Sequence, residues 1–356
     1  MSITDKLQTL KNTKQAIKQA LINKGVEVSD SDDFASYADK ITNFPADNVE
    51  TSIIAGLTAE NFVGVDSNNK LVVSDTNFVC TASNIGDNVL YYKNYNNKGI
   101  KSVSFPNLTD ITGRNAMYNA FLKCENNISV EFPNLVNASA TESMYGCFSE
   151  NSNLNSFDFS NLTSIGYYAL RQIFYKCPKI TLANFPKLTS IGFGGLYMSF
   201  YNTAITSFYA PNLTTVNYQS LYFALPENVT ILDFPKLSGT IKGLTFGNNK
   251  GLKKFWLPKN VTKIITLDAF DRNNSYSNSP FYNCSTDLII YTDAPERLED
   301  WSEYCFYVSA TQEATVIYGA THEDFENDNT NPSGSSSGGN GGFDNGGDTD
   351  PEPNRN

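Results

Sequence analysis

The chain has 356 residues, a hydrophobic share of 40% and a net charge of −11, from 26 Lys and Arg against 37 Asp and Glu. This length allows a sizeable core, and no run approaches the roughly 20 apolar residues of a membrane helix, so membrane insertion is not expected. No basic stripe is present to displace counterions from phosphates, so nucleic-acid binding is not expected either.

Residues 1–44 are predicted to form a module of two short amphipathic helices, separated at Gly25. Its predicted contact residues are five apolar side chains at helical spacing: Ile17, Leu21, Phe34, Tyr37 and Ile41. A helix pair this small buries too little apolar surface to be stable alone. It therefore packs on the rest of the chain, docks on another protein, or assembles as a homotrimer. The first ten residues lack a hydrophobic region and a cleavage site, so no secretory signal is predicted.

Residues 45–100 are expected to form a linker and an N-terminal cap, with strand-like runs at 62–65 and 70–73. From Phe105 onward one phrase recurs every 23 to 27 residues, usually as Phe-Pro-Asn-Leu or Phe-Pro-Lys-Leu. It begins at Phe105, Phe132, Phe159, Phe185, Ala210, Phe234 and Leu257. A period of this length is typical of a solenoid, here of about seven coils over residues 101–320 with a C-terminal cap.

Each coil is predicted to contain a short strand and a short return helix, which gives an α/β solenoid with a parallel sheet. In the first coil Val103 and Phe105 alternate with small polar residues, as a strand with one buried face requires. Pro106 has no N–H for a further ladder bond, so it ends the strand. The return helices are predicted at 116–124, 141–149, 168–177, 194–201 and 218–224. The runs 288–291 and 314–318 are predicted to be closing strands.

The Phe-Pro-x-Leu phrase, the tyrosine-rich return segments and the closing strand before Ala294-Pro295-Glu296-Arg297-Leu298 resemble the BspA-like leucine-rich repeats. That resemblance covers residues 85–320 and implies a surface-exposed, ligand-binding solenoid. The segments 14–30 and 34–41 resemble the helical module that opens many bacteriophage tail and fibre proteins. This second resemblance implies that residues 1–44 attach the chain to other virion proteins.

Side chains on the strands that point away from the core form one predicted row: Ser104, Glu131, Asp158, Asn184, Tyr209, Asp233 and Trp256. Parallel strands lie about 4.8 Å apart, so Glu131 and Asp158 are close enough to share a ligand. Acidic and amide groups next to aromatic faces suit a glycan, so the row from Glu131 to Trp256 is the predicted ligand site. The alternative is a solvated sheet face without a ligand. Five tyrosines in polar surroundings are also expected to be exposed: Tyr91, Tyr92, Tyr95, Tyr167 and Tyr276.

Catalytic and metal chemistry is predicted to be absent, and no cofactor is expected. The single histidine, His322, stands at the start of the C-terminal tail, which argues against Ser-His, Cys-His and His-based metal sites. The six cysteines show no metal spacing and are expected to be buried thiols, with adjacent-coil disulfides as the alternative. The remaining enzymatic option is a glycan depolymerase that uses Glu131 and Asp158 as its carboxylate pair.

Residues 321–356 are predicted to be a disordered tail rich in Gly, Ser and Asp. They contain eight acidic residues and one basic residue, a net charge of −7, which leaves −4 for the first 320 residues. A segment with so little apolar surface cannot offset its ordering entropy.

The sequence therefore predicts a non-enzymatic virion protein, a fibre or appendage of the head or tail, made in the host cytoplasm. Its solenoid is expected to bind a glycan or protein on the host surface. The alternatives are a ligand-free virion decoration protein, an adhesin on a bacterial cell surface, and the depolymerase.

Overall fold

The computed structural model describes residues 76–266 and 275–328, the two strands at 62–65 and 71–73, and residues 14, 17 and 18. Lys14, Ile17 and Lys18 have helical backbone, and Ile17 is half-buried. Four of the five predicted attachment residues, Leu21, Phe34, Tyr37 and Ile41, lie outside the described residues. The helix pair therefore stays a prediction.

Twenty strands are described. The first ten are β1 (Phe62–Val65), β2 (Leu71–Val73), β3 (Thr76–Val79), β4 (Asn84–Ile85), β5 (Ile100–Ser104), β6 (Asp110–Ile111), β7 (Ser129–Glu131), β8 (Asn137–Ala138), β9 (Ser156–Asp158) and β10 (Ser164–Ile165). The others are β11 (Ala183–Asn184), β12 (Ser190–Ile191), β13 (Phe208–Tyr209), β14 (Thr215–Val216), β15 (Ile231–Asp233), β16 (Gly239–Ile241), β17 (Lys254–Leu257), β18 (Val261–Ile264), β19 (Ile289–Thr292) and β20 (Thr315–Ile317). Two short helices are also described, a 3₁₀ turn at Tyr276–Asn278 between β18 and β19, and α1 at His322–Asn327 after β20.

The strands build a parallel solenoid of about nine turns, which confirms the predicted parallel solenoid but exceeds the predicted number of about seven coils. One strand per coil lies on a first face, in the sheets β3-β5-β7-β9, β11-β13 and β15-β17-β19-β20. A second strand per coil lies on a second face, in the sheets β4-β6-β8-β10-β12-β14 and β16-β18. Strands β1 and β2 form a separate antiparallel pair.

The phenylalanine of each repeat phrase lies in a continuous core. The rings of Phe105 and Phe132 stack with centroids 4.9 Å apart and an interplanar angle of 6°. Phe121 and Phe148, from the return segments of the same two coils, stack at 5.4 Å and 9°. All four rings are fully buried. Because each ring covers its equivalent in the next coil, the core depends on stacking between neighbours rather than on any one coil.

The asparagine of the repeat phrase links adjacent coils at the corner after each first-face strand. The Asn134 side-chain amide donates to the Pro106 carbonyl at 2.6 Å, and Asn212 donates to the Pro186 carbonyl at 2.7 Å. The proline cannot continue the strand, and the next asparagine satisfies its exposed carbonyl. The phrase therefore ends one strand and joins it to the following coil.

The return halves of the coils are not helices, so that prediction is wrong. They are chains of tight turns in which positive φ recurs every fourth residue, for example at Asn115 (51°), Asn119 (49°) and Lys123 (61°). Within this chain alternate N–H groups donate three residues back, as Tyr118 N–H does to the Asn115 carbonyl at 3.1 Å. The intervening N–H groups donate to the next coil, as Asn119 N–H does to the Tyr145 carbonyl at 2.8 Å. We call this third side of the solenoid the turn face.

The burial pattern of the turn face explains why the sequence predicts helices in the return segments. In the first full coil the buried apolar residues of this segment are Ala116, Met117, Ala120, Phe121 and Cys124. Their spacing follows a period of four residues, which a 3.6-residue helix matches closely over so short a run. The period of four is produced by turns whose backbone groups bond to the neighbouring coil, an arrangement available only in the stacked solenoid.

Among the described residues, no helix has both the length and the apolar composition needed to cross a bilayer.

Candidate functional site

The outward row lies on the first face in the predicted register. Ser104 is opposite Glu131, and Glu131 is opposite Asp158 in the next strand. Asn184 pairs with Tyr209 in the sheet that follows. In the last sheet Asp233 pairs with Trp256, Trp256 with Tyr291, and Tyr291 with Ile317. The repeat therefore brings together the residues that alternation in the sequence assigned to this face.

The first part of the row is accessible to a ligand, and we call it the open segment: Ser104, Glu131, Asp158, Asn184 and Tyr209. Glu131 is exposed, and Tyr209 keeps 54% of its surface accessible. The Asp158 carboxylate accepts a hydrogen bond from the Ser160 N–H at 2.9 Å, which orients it beside Glu131. Two carboxylates, an amide and a phenol ring thus line one strip of solvent-facing sheet.

The last part of the row is covered by the C-terminal helix, and we call it the covered segment: Asp233, Trp256 and Tyr291. Trp256 and Tyr291 are each only 5% exposed, so the prediction of Trp256 as a ligand-binding aromatic is wrong. The Trp256 ring lies 4.9 Å from the His322 ring and 5.8 Å from that of Phe325, centroid to centroid. These side chains and Ala320 form a small apolar core of their own, separate from the main one.

Asp233 is also not available to a ligand in the predicted site, because its carboxylate faces α1. Both of its carboxylate oxygens lie 3.0 Å from His322 Nε2. The other ring nitrogen, Nδ1, lies 3.3 Å from a carboxylate oxygen of Glu326, one helical turn further on. The interpretation of His322 as the start of a disordered tail is therefore wrong, and disorder is contradicted for residues 321–328. The structure places the only histidine of the chain between two carboxylates.

A signal for α1 was present in the sequence and was missed. Thr321 caps the helix by accepting a hydrogen bond from the Asp324 N–H, and the Asp324 carboxylate accepts from the Thr321 N–H at 2.8 Å. A threonine followed three residues later by an acidic residue and then by Phe325 is close to the capping-box pattern. The hydrogen bonds that the Asp324 carboxylate accepts from the Thr321 N–H and hydroxyl lower its pKa.

The end of α1 is fastened to the same sheet. The Lys254 ammonium donates to the Asp328 carbonyl at 3.0 Å and lies 4.5 Å from the centre of the Phe325 ring. The Tyr291 hydroxyl donates to the Asp328 carboxylate. Because β17 and β19 provide Lys254 and Tyr291, α1 binds a surface that exists only when the last coils are stacked.

The turn face carries a second, aromatic surface. Tyr118 stacks between Tyr91 and Tyr145, with centroids 5.2 and 4.6 Å apart. The predicted exposure of five tyrosines is confirmed, since they keep between 36% and 42% of their surface: Tyr91, Tyr92, Tyr95, Tyr167 and Tyr276. Burial, followed by the neighbouring Tyr145, raises the pKa of the Tyr118 hydroxyl. This surface is a ladder of phenol rings rather than a pocket.

Arg171 lies in the middle of that ladder. Its guanidinium carbon is 4.6, 5.0 and 5.1 Å from the ring centres of Tyr197, Tyr168 and Tyr145. A guanidinium at these distances is attracted by the ring faces, and its alkyl stem fills the space between coils. Arg171 is therefore part of the packing of the turn face.

The cysteines are buried thiols, as predicted, and all six are free. Cys124 donates to the Asn94 carbonyl, and Cys177 to the Phe148 carbonyl, each at 3.1 Å and each into the preceding coil. Burial raises the pKa of the Cys177 and Cys284 thiols to about 12. Thiols of this kind pack as small hydrophobic groups and are not nucleophiles.

The solved structures to which this chain is similar include three leucine-rich repeat proteins of bacteria. A leucine rich cell surface protein from Faecalibacterium prausnitzii is 15% identical, with a TM-score of 0.27, over 68% of this chain and 78% of that one. Leucine-rich repeat proteins from Bacteroides ovatus and Eubacterium ventriosum are 15% and 14% identical, with TM-scores of 0.28 and 0.29. They cover 72% and 71% of this chain, and 68% and 82% of their own.

No curated protein matches the chain. The family model described as BspA type leucine rich repeat region matches in six copies, over residues 73–194 and 170–277. These residues contain the repeated Phe-Pro-x-Leu phrase, both strand faces and most of the turn face, and they make up more than half of the chain. The open segment and Trp256 thus lie within the matched repeats. The chain belongs to the BspA type leucine-rich repeat family.

Proposed function

We propose that this protein is a non-enzymatic recognition protein that binds a glycan or protein on a cell surface through the open segment. The observation that supports this best is the exposed Tyr209, which stands in the same strand row as Glu131, Asp158 and Asn184. Family membership and fold are compatible with surface recognition or adhesion.

The chemistry of the open segment favours a glycan. Carboxylate and amide groups accept and donate hydrogen bonds to sugar hydroxyls, and a phenol ring covers the apolar face of a pyranose. The segment is a strip that runs across two successive parallel sheets of the first face, so it suits an extended chain of sugars that contacts several coils. The correction at Trp256 shortens the proposed site to the coils between Ser104 and Tyr209.

A non-enzymatic role is proposed because the open segment lacks a water-excluding site. Glu131 is solvent-exposed, and the single histidine lies on α1 beside Asp233 rather than beside Glu131 and Asp158. Acid catalysis of glycoside cleavage needs a carboxyl group in an apolar environment that keeps it protonated. The depolymerase remains the alternative that the experiments below address.

We further propose that the protein is a bacteriophage virion component, with residues 1–44 as its attachment element. The support is the resemblance of residues 14–41 to phage tail and fibre modules and the helical backbone at Ile17. Assembly in the host cytoplasm and trimerisation through this module belong to the same proposal. A bacterial surface adhesin and a ligand-free virion decoration protein are the alternatives.

The recognition proposal is tested by measuring attachment of the purified protein to host cells and to a panel of surface glycans. We expect Tyr209→Ala and Glu131→Gln each to weaken binding at least about tenfold, which corresponds to roughly 1.4 kcal/mol. Tyr276→Ala is the matched control, because it removes an exposed tyrosine away from the first face. Binding that survives both changes and is lost in Tyr92→Ala would transfer the site to the turn face.

The attachment proposal is tested by deleting residues 1–44 from the gene in a phage that produces the protein. We expect the shortened chain to fold, since it keeps every coil of the solenoid, and to be missing from purified particles. Particles that incorporate the shortened chain normally would show that another part of the protein makes the attachment.

A further inference from the structure

We propose that Asp233, His322 and Glu326 form a site for a divalent transition-metal ion, with Zn²⁺ as the best match, and that the bound ion fastens α1 over the covered segment. The site joins two parts of the chain. Asp233 ends β15 in the sheet of the first face, whereas His322 and Glu326 lie one turn apart on α1. This proposal is independent of which ligand the open segment binds.

The geometry suits a small ion. One oxygen or nitrogen from each of the three side chains lies within 4.8 Å of the other two. The Asp233 oxygens are 3.0 Å from His322 Nε2. Ligand atoms of a tetrahedral zinc ion, with bonds of about 2.0 to 2.1 Å, lie roughly 3.3 Å from one another. The Asp233 and His322 atoms are therefore close to coordinating distance without movement of the backbone.

Glu326 completes the set by a side-chain rotation. Its carboxylate is 3.3 Å from Nδ1 of His322, whereas the Asp233 carboxylate lies against Nε2. The Glu326 side chain is 63% exposed, so it can turn toward Nε2 without displacing a packed neighbour. The imidazole itself is held in place by its edge contact with Trp256. One fixed nitrogen, one fixed carboxylate and one adjustable carboxylate then face the same point.

The charge and the donor types both favour a transition metal. Two carboxylates converge on one imidazole, whereas the nearby cation Lys254 donates to the Asp328 carbonyl and lies over the Phe325 ring. A divalent ion would balance the two carboxylates. An imidazole with two carboxylates is a common donor set for Zn²⁺, whereas Ca²⁺ and Mg²⁺ prefer oxygen ligands alone. Water would take the remaining position, because His322 and Asp233 are partly exposed.

A bound ion would decide whether the covered segment stays closed. An ion that binds only when α1 is docked stabilises the docked state, and above the Kd this free energy grows with the logarithm of the ion concentration. The ion would thereby act on Trp256 and Tyr291, whose burial depends on Phe325 and the rest of α1. Removal of the metal would lower the population of molecules in which α1 is docked. In the remaining molecules the accessible part of the outward row would extend beyond Tyr209 into the covered segment.

The test is calorimetric titration of the full-length protein with ZnCl₂, beside limited proteolysis and tryptophan fluorescence with and without the metal. We expect one ion per chain, and at least about tenfold weaker binding in Asp233→Asn, His322→Gln and Glu326→Gln. Glu323→Gln is the matched control, since it removes an exposed carboxylate from α1 outside the cluster. Zinc is also expected to slow cleavage between the solenoid and the tail, and only in the parent protein and the control variant.

Far-UV circular dichroism checks that each variant keeps the solenoid. Absence of binding to the parent protein would overturn the proposal. Binding that Asp233→Asn leaves unchanged would also overturn it, because the ion would then be held by other acidic residues. Equal binding of Ca²⁺ and Zn²⁺ with unchanged proteolysis would show an adventitious ion only.

Discussion

The open and covered segments of the first face are built from equivalent strands of successive coils, yet one faces solvent and the other is a core. Tyr209 keeps 54% of its surface, whereas Trp256, two coils further along the same row, keeps 5%. The strand pattern is identical in both, so alternation alone does not decide which outward residue meets solvent. The position of α1 decides which outward residues are exposed to solvent.

The side chains explain why α1 covers this end. The open segment presents Glu131, Asp158 and Asn184, which are well hydrated without a partner. The covered segment presents two large aromatic rings side by side, Trp256 and Tyr291. An exposed patch of this kind is unfavourable in water, and Phe325 removes it from solvent. The C-terminal segment therefore completes the terminal coils.

The largest expected effect is a difference in the free energy of unfolding between variants of Trp256 and Tyr209. Trp256→Ala removes a buried ring from the contact between sheet and α1 and should lower the free energy of unfolding by about 3 kcal/mol or more. Tyr209→Ala removes an exposed ring and should change it by no more than about 0.5 kcal/mol. Urea denaturation of both variants measures the difference. Similar losses in the two would contradict the assignment of one as core and the other as surface.

Phe325→Ala should have a smaller effect on global unfolding, because a six-residue helix can undock while the solenoid stays folded. We expect Trp256 to become exposed and the C-terminal segment to be cleaved faster by protease. The tryptophan emission should shift to the red by the contribution of Trp256 alone, since Trp301 is buried elsewhere in the core.

Glu323→Ala, on the exposed side of the same helix, should leave emission and cleavage unchanged. If Phe325→Ala also leaves both unchanged, the apolar contact does not hold α1 in place.

A third, smaller effect concerns the helix cap. Thr321→Ala removes the N-cap hydroxyl and should weaken docking of α1 by about 1 kcal/mol. Acid should act in the same direction. The pKa of Asp324 is lowered by hydrogen bonds from Thr321, so its contribution is present above the ordinary value of 3.8 and is lost as pH falls through the lowered pKa.

Tryptophan emission followed from pH 6 to pH 2 tests the cap. Asp324→Asn should show a smaller acid transition than the parent protein, because the group responsible no longer titrates. An unchanged transition would assign the acid effect to other carboxylates.

The last prediction is that the protein does not cleave glycans. Incubation of the protein with host capsule or cell-wall glycan should release no reducing ends, because Glu131 and Asp158 stand on an open, hydrated strip. Release of reducing ends that Glu131→Gln abolishes would replace the recognition proposal with the depolymerase.

Much of this architecture could be predicted from the sequence, because the same local interactions recur in each coil. The spacing of Phe105, Phe132 and Phe159 places equivalent rings above one another, and the proline after each strand sets the corner. Alternation within each strand then determines the register, which is why Glu131 and Asp158 are neighbours as predicted. A pattern that repeats at a constant interval in the chain can place residues in space without further information.

The tertiary structure decided two things that no local pattern contained. The return segments became turns rather than helices, because residues such as Asn119 bond to carbonyls in the next coil. The position of α1 depends on a contact between Asp233 and His322, which are 89 residues apart. A single contact at that separation has no periodic signature, so its partners become apparent only when the last coils stack and create the aromatic surface on which Phe325 packs.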